Sequence, residues 1–190
     1  DGIRAALEAG LLPVKVNAVI QRGINDAQAG DLARHFRGSG VVVRFIEYMD
    51  VGNRNHWDAD LVVPSKELRD RIAADFPLQP VAGSYRGEVA ERYAYADGAG
   101  EIGFISSVSQ PFCGDCTRAR LSSDGVFYTC LFATRGTDLR TPLRAGAGDE
   151  ELLGLIRSTW RRRADRYSEL RRLPAGAVKP RKIEMYYIGG

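Results

Sequence analysis

The residues best suited to chemistry are three cysteines, Cys113, Cys116 and Cys130, which are all the cysteine that the chain contains. Two thiolates separated by two residues can bind one metal centre, and a third from a separate strand completes a three-ligand face. A structural zinc site normally takes a fourth ligand, and the two histidines, His35 and His56, lie far back in the sequence. Cluster iron can instead accept three cysteines and leave one iron open to a substrate.

Three other uses of these thiols stay open. A disulfide with a spare buried thiol is disfavoured, because the cysteine count is odd and clustered and no secretory segment is visible. A zinc- or cluster-stabilised nucleotide-binding module without catalysis would use the same cysteines structurally, and its zinc form would be colourless. An electron-transfer protein would hold a cluster without a substrate, but it would want four thiolates and no phosphate-binding cations.

Two arginines accompany the cysteines. Arg118 and Arg120 stand two residues apart on a predicted strand, so their side chains share one face. Such charges usually face water, yet arginines beside a metal site suit a phosphorylated substrate. The hairpin register decides their direction: a three-residue loop ending in Gly125 at positive φ pairs Arg118 with Cys130, whereas a two-residue turn pairs Ala119 with Cys130. We expect the three-residue loop.

Lys15 and Arg44 place cations in two predicted strands that should otherwise be buried. An ion pair with a carboxylate such as Glu47 would explain each cation alone. Two cations on adjacent parallel strands, close to the strand ends where ligands bind, favour an anionic ligand instead, and we expect them to oppose the cysteine hairpin across a cleft. Met49, just past the second strand, is on pattern alone typical of core packing.

Length and composition describe an ordinary globular chain. The 190 residues are 44% hydrophobic and 27% charged, which excludes a disordered protein. No stretch approaches about eighteen apolar residues, so no membrane partner is expected, and without a signal-like start we expect a cytoplasmic, thiol-reducing setting. A formal net charge of +3 does not predict nucleic-acid binding. The 27 basic residues comprise 23 arginines and four lysines, a bias that reflects genome composition or suits bidentate recognition of phosphates.

The elements that would position these residues fall into two halves. Residues 1–64 alternate helix and strand, with strands predicted at 14–20 and 41–47, as in a parallel sheet or barrel whose ligands gather at the carboxyl ends of the strands. From residue 65 the pattern becomes α+β, with antiparallel hairpins. Its predicted elements are a helix at 64–76, a hairpin at 89–105, the cysteine hairpin, a helix at 150–173 and a closing strand at 182–188.

Several motifs together carry a family resemblance. They are VKVN at residues 14–17, RFIEYMD at 44–50, FCGDC at 112–116, CLF at 130–132 and the terminal Gly-Gly. Together they resemble the GTP 3′,8-cyclases, radical-SAM lyases that open molybdenum cofactor biosynthesis. The resemblance implies an α/β fold in which residues 1–64 supply the last strands of a partial (βα) radical-SAM barrel. Residues 65–190 would form an α+β C-terminal domain with antiparallel hairpins.

The resemblance also implies roles for particular residues. Cys113, Cys116 and Cys130 would hold a [4Fe-4S] cluster whose open iron binds GTP. Met49 would line the S-adenosyl-L-methionine site, and the terminal Gly189 and Gly190 would form a tail that reaches into the active site. The implied GTP contacts are Lys15, Arg44, Arg118, Ala119 and Arg120.

The implied reaction converts GTP to (8S)-3′,8-cyclo-7,8-dihydroguanosine 5′-triphosphate through a 5′-deoxyadenosyl radical that abstracts the ribose 3′ hydrogen. The resemblance further implies a homodimer and a product that passes to cyclic pyranopterin monophosphate synthase. One feature of the family does not occur in this sequence: the C-x3-C-x2-C run of the second [4Fe-4S] cluster, which cleaves S-adenosyl-L-methionine. We therefore expect the chain to be the C-terminal half, or somewhat more, of such an enzyme and to be inactive alone.

Overall fold

The computed structural model describes residues 1–171 and 181–188, which form two compact units. The first, called here the sheet unit, comprises Asp1–Met49 and Trp57–Phe112. The second, called the cysteine unit, comprises Asp50–His56 and Cys113–Gly190. The boundary predicted between residues 64 and 65 concerns family domains and stays a prediction, since the compact units divide the chain at other places.

The sheet unit is built on a mixed five-stranded sheet. Its helices are α1 (Gly2–Glu8), α2 (Ala29–Phe36) and α3 (Ser65–Asp75), and its strands are β1 (Lys15–Ile20), β2 (Val42–Glu47), β3 (Leu78–Val81), β4 (Glu91–Tyr95) and β5 (Glu101–Ile105). The strand order is β1-β2-β5-β4-β3. Strands β1, β2 and β5 run parallel, whereas β4 and β3 are antiparallel to their neighbours. The predicted βα alternation and the 89–105 hairpin are confirmed.

The core of the sheet unit lies on one face of this sheet, where α2 and α3 pack. Phe45 and Phe104 stack there with ring centroids 5.9 Å apart, and Ile72 of α3 joins the same buried cluster. Burial of apolar area of this kind is the main stabilising contribution to the unit. The opposite face carries polar residues, because side chains alternate along each strand.

This arrangement corrects the expectation that the strand around Lys15 is wholly buried. Along β1 the side chains alternate between exposed and at least partly buried, and Lys15 lies on the exposed side. The physical reason is that β1 is an edge strand in the described sheet, and the helices cover the other face. Lys15 therefore reaches water without any need to bend around a core.

The cysteine unit contains a three-stranded antiparallel sheet and short helices. Its strands are β6 (Arg120–Leu121), β7 (Val126–Tyr128) and β8 (Thr137–Asp138), and its helices are α4 (Arg140–Arg144), α5 (Asp149–Arg161) and α6 (Tyr167–Leu170). A 3₁₀ helix at Met185–Ile188 closes the described chain. The buried cluster of the unit consists of Tyr128, Ala133 and Ile188.

Two elements of this unit differ from the sequence prediction. The helix predicted over 150–173 ends at Arg161 and is followed by the separate short helix α6, and residues 172 and 173 of the prediction lie outside the described residues. The strand predicted over 182–188 is wrong. There the side chain of Asn53, rather than a strand, accepts from the Lys182 N–H at 3.0 Å and donates to the Lys182 carbonyl at 2.8 Å.

Among the residues that the structure describes, none of the helices has the length and apolar character needed to span a membrane.

Candidate metal and phosphate site

The hairpin that carries the third cysteine has the predicted register. Arg120 pairs with Tyr128 and Leu121 with Phe127, and the Ser122 N–H donates to the Val126 carbonyl at 3.0 Å. The loop between them therefore contains three residues and ends at Gly125, which has φ +83°. A Cβ added to Gly125 would lie 2.8 Å from the Cβ of Arg140, so glycine is required both for the backbone and for the space.

This register sets the direction of the arginines. Continued by two residues beyond Arg120, it places Arg118 opposite Cys130, and paired residues share a face. The regular ladder itself begins at Arg120, so Arg118 and the exposed Ala119 lie just before it, outside the strand. The prediction that the arginines turn towards the cysteines rather than away from them follows from the loop length.

The three cysteines lie at the two ends of this hairpin. A 3₁₀ turn at Cys113–Asp115, closed by the Cys116 N–H donating to the Cys113 carbonyl at 3.3 Å, holds the first pair, and Cys130 follows β7. All three are half-buried free thiols. Burial raises the pKa of the Cys130 thiol, and the charges of Asp165, Cys113 and Cys116 add to the rise.

Two arginines contact Cys116, one at its sulfur and one at its backbone carbonyl. The Arg118 guanidinium donates from Nε and Nη2 to Cys116 Sγ at 3.2 and 3.1 Å, and Arg163 donates to the Cys116 carbonyl. Burial alone would raise the pKa of Cys116, but hydrogen bonds from Arg118 and Arg163 and the Arg118 charge outweigh it and lower the pKa. The thiolate, which is the form that binds metals, therefore forms more readily here than at an ordinary cysteine.

Arg120 is a half-buried cation close to a second one. Burial lowers the pKa of the Arg120 guanidinium, and the charge of Arg118 lowers it further, while the charges of Cys130 and Cys116 raise it. In the described part of the chain, the Arg120 side chain makes no hydrogen bond or ion pair. Two guanidinium groups beside the thiols form a site that an anion would stabilise.

The thiols match the donor chemistry of iron–sulfur ligation but are not arranged as a finished metal site. Among residues 1–171 and 181–188, no three His, Cys, Asp or Glu side chains form a group that could hold a metal ion. The expectation that the three sulfurs stand at the wider spacing of a cubane stays a prediction. The sulfurs instead accept hydrogen bonds, Cys116 from Arg118 and Cys130 from the Phe132 N–H at 3.4 Å. Such N–H···S bonds are also found around cluster thiolates.

The other two predicted cations share the open face of the sheet unit. Lys15 and Arg44 line one cavity of about 200 Å³, and Arg44 Nε donates to Asn17 Oδ1 at 2.8 Å. The remaining lining residues of the cavity are Pro13, Val42, Ser84, Glu88, Ala90, Arg92, Glu101 and Gly103. Within the part of the chain that the structure describes, Lys15 makes no hydrogen bond or ion pair.

Glu47 is not the partner of these cations. It lies on the opposite, buried face of β2, where its carboxylate accepts N–H groups from Ser65 at 2.7 Å, Val108 at 2.7 Å and Ser109 at 2.8 Å. This carboxylate fixes the start of α3 and the chain after β5. The alternative explanation that Glu47 pairs with Lys15 or Arg44 is therefore wrong.

The structure places the remaining predicted residues as follows. Met49 is half-buried two residues beyond the end of β2, and it keeps its predicted role only as a hypothesis. Gly189 and Gly190 lie outside the described residues. His35 belongs to α2 in the sheet unit and His56 is exposed, and neither belongs to a group that could hold a metal ion.

A buried charge network in the cysteine unit was not predicted. The carboxylate of Asp50, which is 5% exposed, accepts from Arg171 Nε at 2.7 Å, from Lys182 Nζ at 2.9 Å and from the Tyr167 hydroxyl. Tyr167 stacks on Phe132 at 4.5 Å, two residues after the last cysteine. The sequence contains Asp50 within the RFIEYMD motif, but no local pattern connects it with partners more than a hundred residues later.

Comparison with known sequences decides the family. A sequence model described as "Molybdenum Cofactor Synthesis C" matches residues 41–169. The chain belongs to this family. The match includes the three cysteines, both hairpin arginines and the buried Asp50.

Named relatives extend the similarity along the chain. A GTP 3′,8-cyclase of Xanthomonas campestris pv. campestris (strain 8004) is 53% identical over 189 residues, which cover 100% of this chain and 55% of the relative. The GTP 3′,8-cyclase of Acidothermus cellulolyticus is 49% identical, covering 100% and 59%. That of Staphylococcus saprophyticus is 48% identical, covering 93% and 53%. The chain thus spans about half the length of the curated relatives it matches.

Proposed function

We propose that this chain is the substrate-binding part of a GTP 3′,8-cyclase, which holds an iron–sulfur cluster on three cysteines and GTP beside it. The observation that carries the proposal is the cysteine hairpin, whose register turns Arg118 and Arg120 towards the sulfurs. The names of the relatives, which describe GTP cyclisation, agree with this chemistry.

The residues divide into two functions. Cys113, Cys116 and Cys130 would hold the [4Fe-4S] cluster, with one iron left for the substrate. Arg118 and Arg120 would bind phosphate oxygens bidentately, and their charges would offset that of the triphosphate. Lys15 and Arg44 of the sheet unit, and the backbone at Ala119, are proposed as further contacts with GTP.

The sheet unit would supply the last strands of the radical-SAM barrel, because β1, β2 and β5 are parallel and leave one polar face open. Met49, just beyond β2, would contact S-adenosyl-L-methionine. When bound, the second cluster and this cofactor supply the radical chemistry, while the residues of this chain bind and orient the nucleotide. We also propose that Gly189 and Gly190 form a tail that reaches into the active site and that the enzyme is a homodimer. Its product would pass to cyclic pyranopterin monophosphate synthase.

Anaerobic reconstitution of the chain with iron and sulfide tests the proposal. We expect a brown protein with about four iron atoms per chain, as a [4Fe-4S] cluster requires, and saturable GTP binding measured by calorimetry. Arg118→Ala and Arg120→Ala should each weaken GTP binding by about tenfold or more, the usual cost of losing a charge-assisted contact, without changing the iron content. Arg157→Ala, an exposed position on α5, is the matched control.

The same experiment separates the alternatives. A colourless chain that binds one zinc ion and no iron would favour the zinc-stabilised module. Loss of iron in step with loss of GTP binding would show that the arginines only support the fold of the hairpin. A chain that holds the cluster but ignores GTP in all variants would favour electron transfer.

A further inference from the structure

The open end of the cysteine hairpin lacks regular backbone pairing. Cys116 precedes β6 and Cys130 follows β7, whereas in the described part of the chain the paired ladder ends at Arg120 and Tyr128. Backbone bonds between the strands therefore do not fix the separation of these two cysteines. A cluster that both thiols bind needs that separation to be set by other contacts.

The carboxylate of Asp165 supplies such a contact. The Thr129 hydroxyl donates to Asp165 Oδ2 at 2.6 Å, and Arg163 Nε donates to the same oxygen at 3.2 Å. The Nη1 of Arg163 in turn donates to the Cys116 carbonyl. Because Thr129 directly precedes Cys130, one carboxylate oxygen connects the two cysteine segments through a chain of three hydrogen bonds.

This connection is partly shielded from water. The Arg163 guanidinium lies over the ring of Trp160, with its central carbon 4.9 Å from the ring centroid. The side chain of Arg163 is 12% exposed and that of Asp165 is 28% exposed. Fully exposed ion pairs are weakened by solvent, whereas hydrogen bonds away from bulk water are stronger. The ring and the carboxylate thus hold the arginine that contacts Cys116.

Electrostatics alone does not account for a carboxylate at this position. Burial raises the pKa of Cys130, and the charge of Asp165 raises it further, because two negative charges repel. The charge of Asp165 therefore disfavours the thiolate that a metal would bind. Its favourable contribution lies in the hydrogen bonds that join Thr129 to Arg163.

We propose that Asp165 is a positioning residue, which acts with Thr129 and Arg163 to fix the separation of Cys116 and Cys130 so that both bind one cluster. The inference rests on the proposed function for the cluster itself. Partners of this kind orient metal ligands, and their loss typically lowers metal affinity about 10- to 100-fold. Ligand segments that are already held in place also lose less conformational entropy when the cluster binds.

Asp165→Ala tests the proposal in the whole 190-residue chain after anaerobic reconstitution with iron and sulfide. A chelator should remove the cluster about tenfold faster than from the wild type, the lower end of the usual effect. A purely electrostatic role gives the opposite sign, because removing the negative charge would slow the loss. The matched control is Asp138→Ala, which loses the 2.5 Å bond from the Thr141 hydroxyl in the same unit, at the start of α4. Its cluster should be lost at the wild-type rate.

A pair of variants at Thr129 distinguishes positioning from a general loss of stability. Thr129→Val removes the hydroxyl and keeps the charge of Asp165, whereas Thr129→Ser keeps the hydroxyl. The valine variant should lose its cluster faster and change the EPR spectrum of the reduced cluster, and the serine variant should match the wild type in both. A merely less stable fold would leave the spectrum of the remaining clusters unchanged.

The outcomes separate this inference from the proposed function. Wild-type rates of cluster loss in Asp165→Ala or Thr129→Val, or an unchanged EPR spectrum in Thr129→Val, would overturn the positioning role and leave the proposed function standing. If the wild-type chain took up no cluster, the proposed function would fail, and this inference with it.

Discussion

Replacing Asp50 by alanine should be among the most damaging single changes in the cysteine unit. Its carboxylate is 5% exposed, and Arg171 and Lys182, each 7% exposed, both contact it. Removing one partner of a buried ion pair leaves charge without compensation and typically costs about 3–5 kcal/mol. Arg171 also reaches Ser168, and Lys182 also donates to the Asp50 carbonyl, so we expect the lower end, about 3 kcal/mol.

The pH dependence of stability gives a second measure of the same network. Burial alone would raise the pKa of Asp50, but hydrogen bonds from Tyr167 and Lys182 and the charges of Arg171 and Lys182 lower it overall. Because its pKa is lower in the folded protein than in the unfolded chain, the carboxylate stabilises the fold at pH values above its unfolded pKa. This stabilisation is lost as the pH falls through the pKa of the folded protein. Wild type should therefore lose more stability than Asp50→Asn below about pH 4.

Urea unfolding followed by tryptophan fluorescence measures the effect. The two tryptophans lie in different units, Trp57 in the sheet unit and Trp160 in the cysteine unit, so a Trp57→Phe background reports on the cysteine unit. The control is Glu67→Ala in the Trp160→Phe background, because Glu67 also contacts two arginines but is 36% exposed and should cost less than about 1 kcal/mol. If Asp50→Ala cost no more than this control, the network would not stabilise the unit.

Two further predictions concern the hairpin loop and an exposed ion pair. Gly125→Ala should lower the free energy of unfolding in urea by about 2–3 kcal/mol, since it combines a positive φ with a clash against Arg140. The control Gly146→Ala, at φ +92° in open space, should lower it by only about 1 kcal/mol. Equal losses in the two variants would refute the clash. Hydrogen bonds from Arg22 and Arg71 lower the pKa of Glu67 from 4.5 to about 2. The wild type should therefore lose a little stability as the pH falls from 4.5 to about 2, and Glu67→Gln should lose less over the same range. An NMR titration that places the pKa of Glu67 near 4.5 would contradict this.

The parts of the site that the sequence predicted are those that local physics determines. The hairpin register depends on the loop, and the loop depends on Gly125, whose positive φ only glycine adopts without strain. Once the loop has three residues, period-two alternation sends Arg118 and Arg120 to the face of Cys130. The parallel pairing of β1 and β2 was predictable for a similar reason, because short turns around one helix permit little else.

The parts that were missed depend on contacts between distant residues. After α5 the Asp165 carboxylate accepts a hydrogen bond from the distant Thr129, and in the expected closing strand Lys182 bonds instead to the side chain of Asn53. Asp50 meets Arg171 and Lys182 across more than a hundred residues. Neither secondary-structure propensity nor hydrophobic periodicity contains such information, because both describe residues that are close together in the sequence.

The choice of arginine at the hairpin has a physical basis beyond composition. Arg118 lies against a sulfur and Arg120 is half-buried beside it, and burial together with like charge lowers the pKa of Arg120. A lysine has an ordinary pKa about two units lower than that of arginine, so the same burial could discharge it, whereas a guanidinium keeps its charge. The guanidinium of Arg118 also has five donors in a planar fork, and it uses Nε and Nη2 for Cys116 Sγ. A single arginine can therefore contact a metal-bound thiolate and a phosphate oxygen at once, which a point charge on a flexible stem does less well.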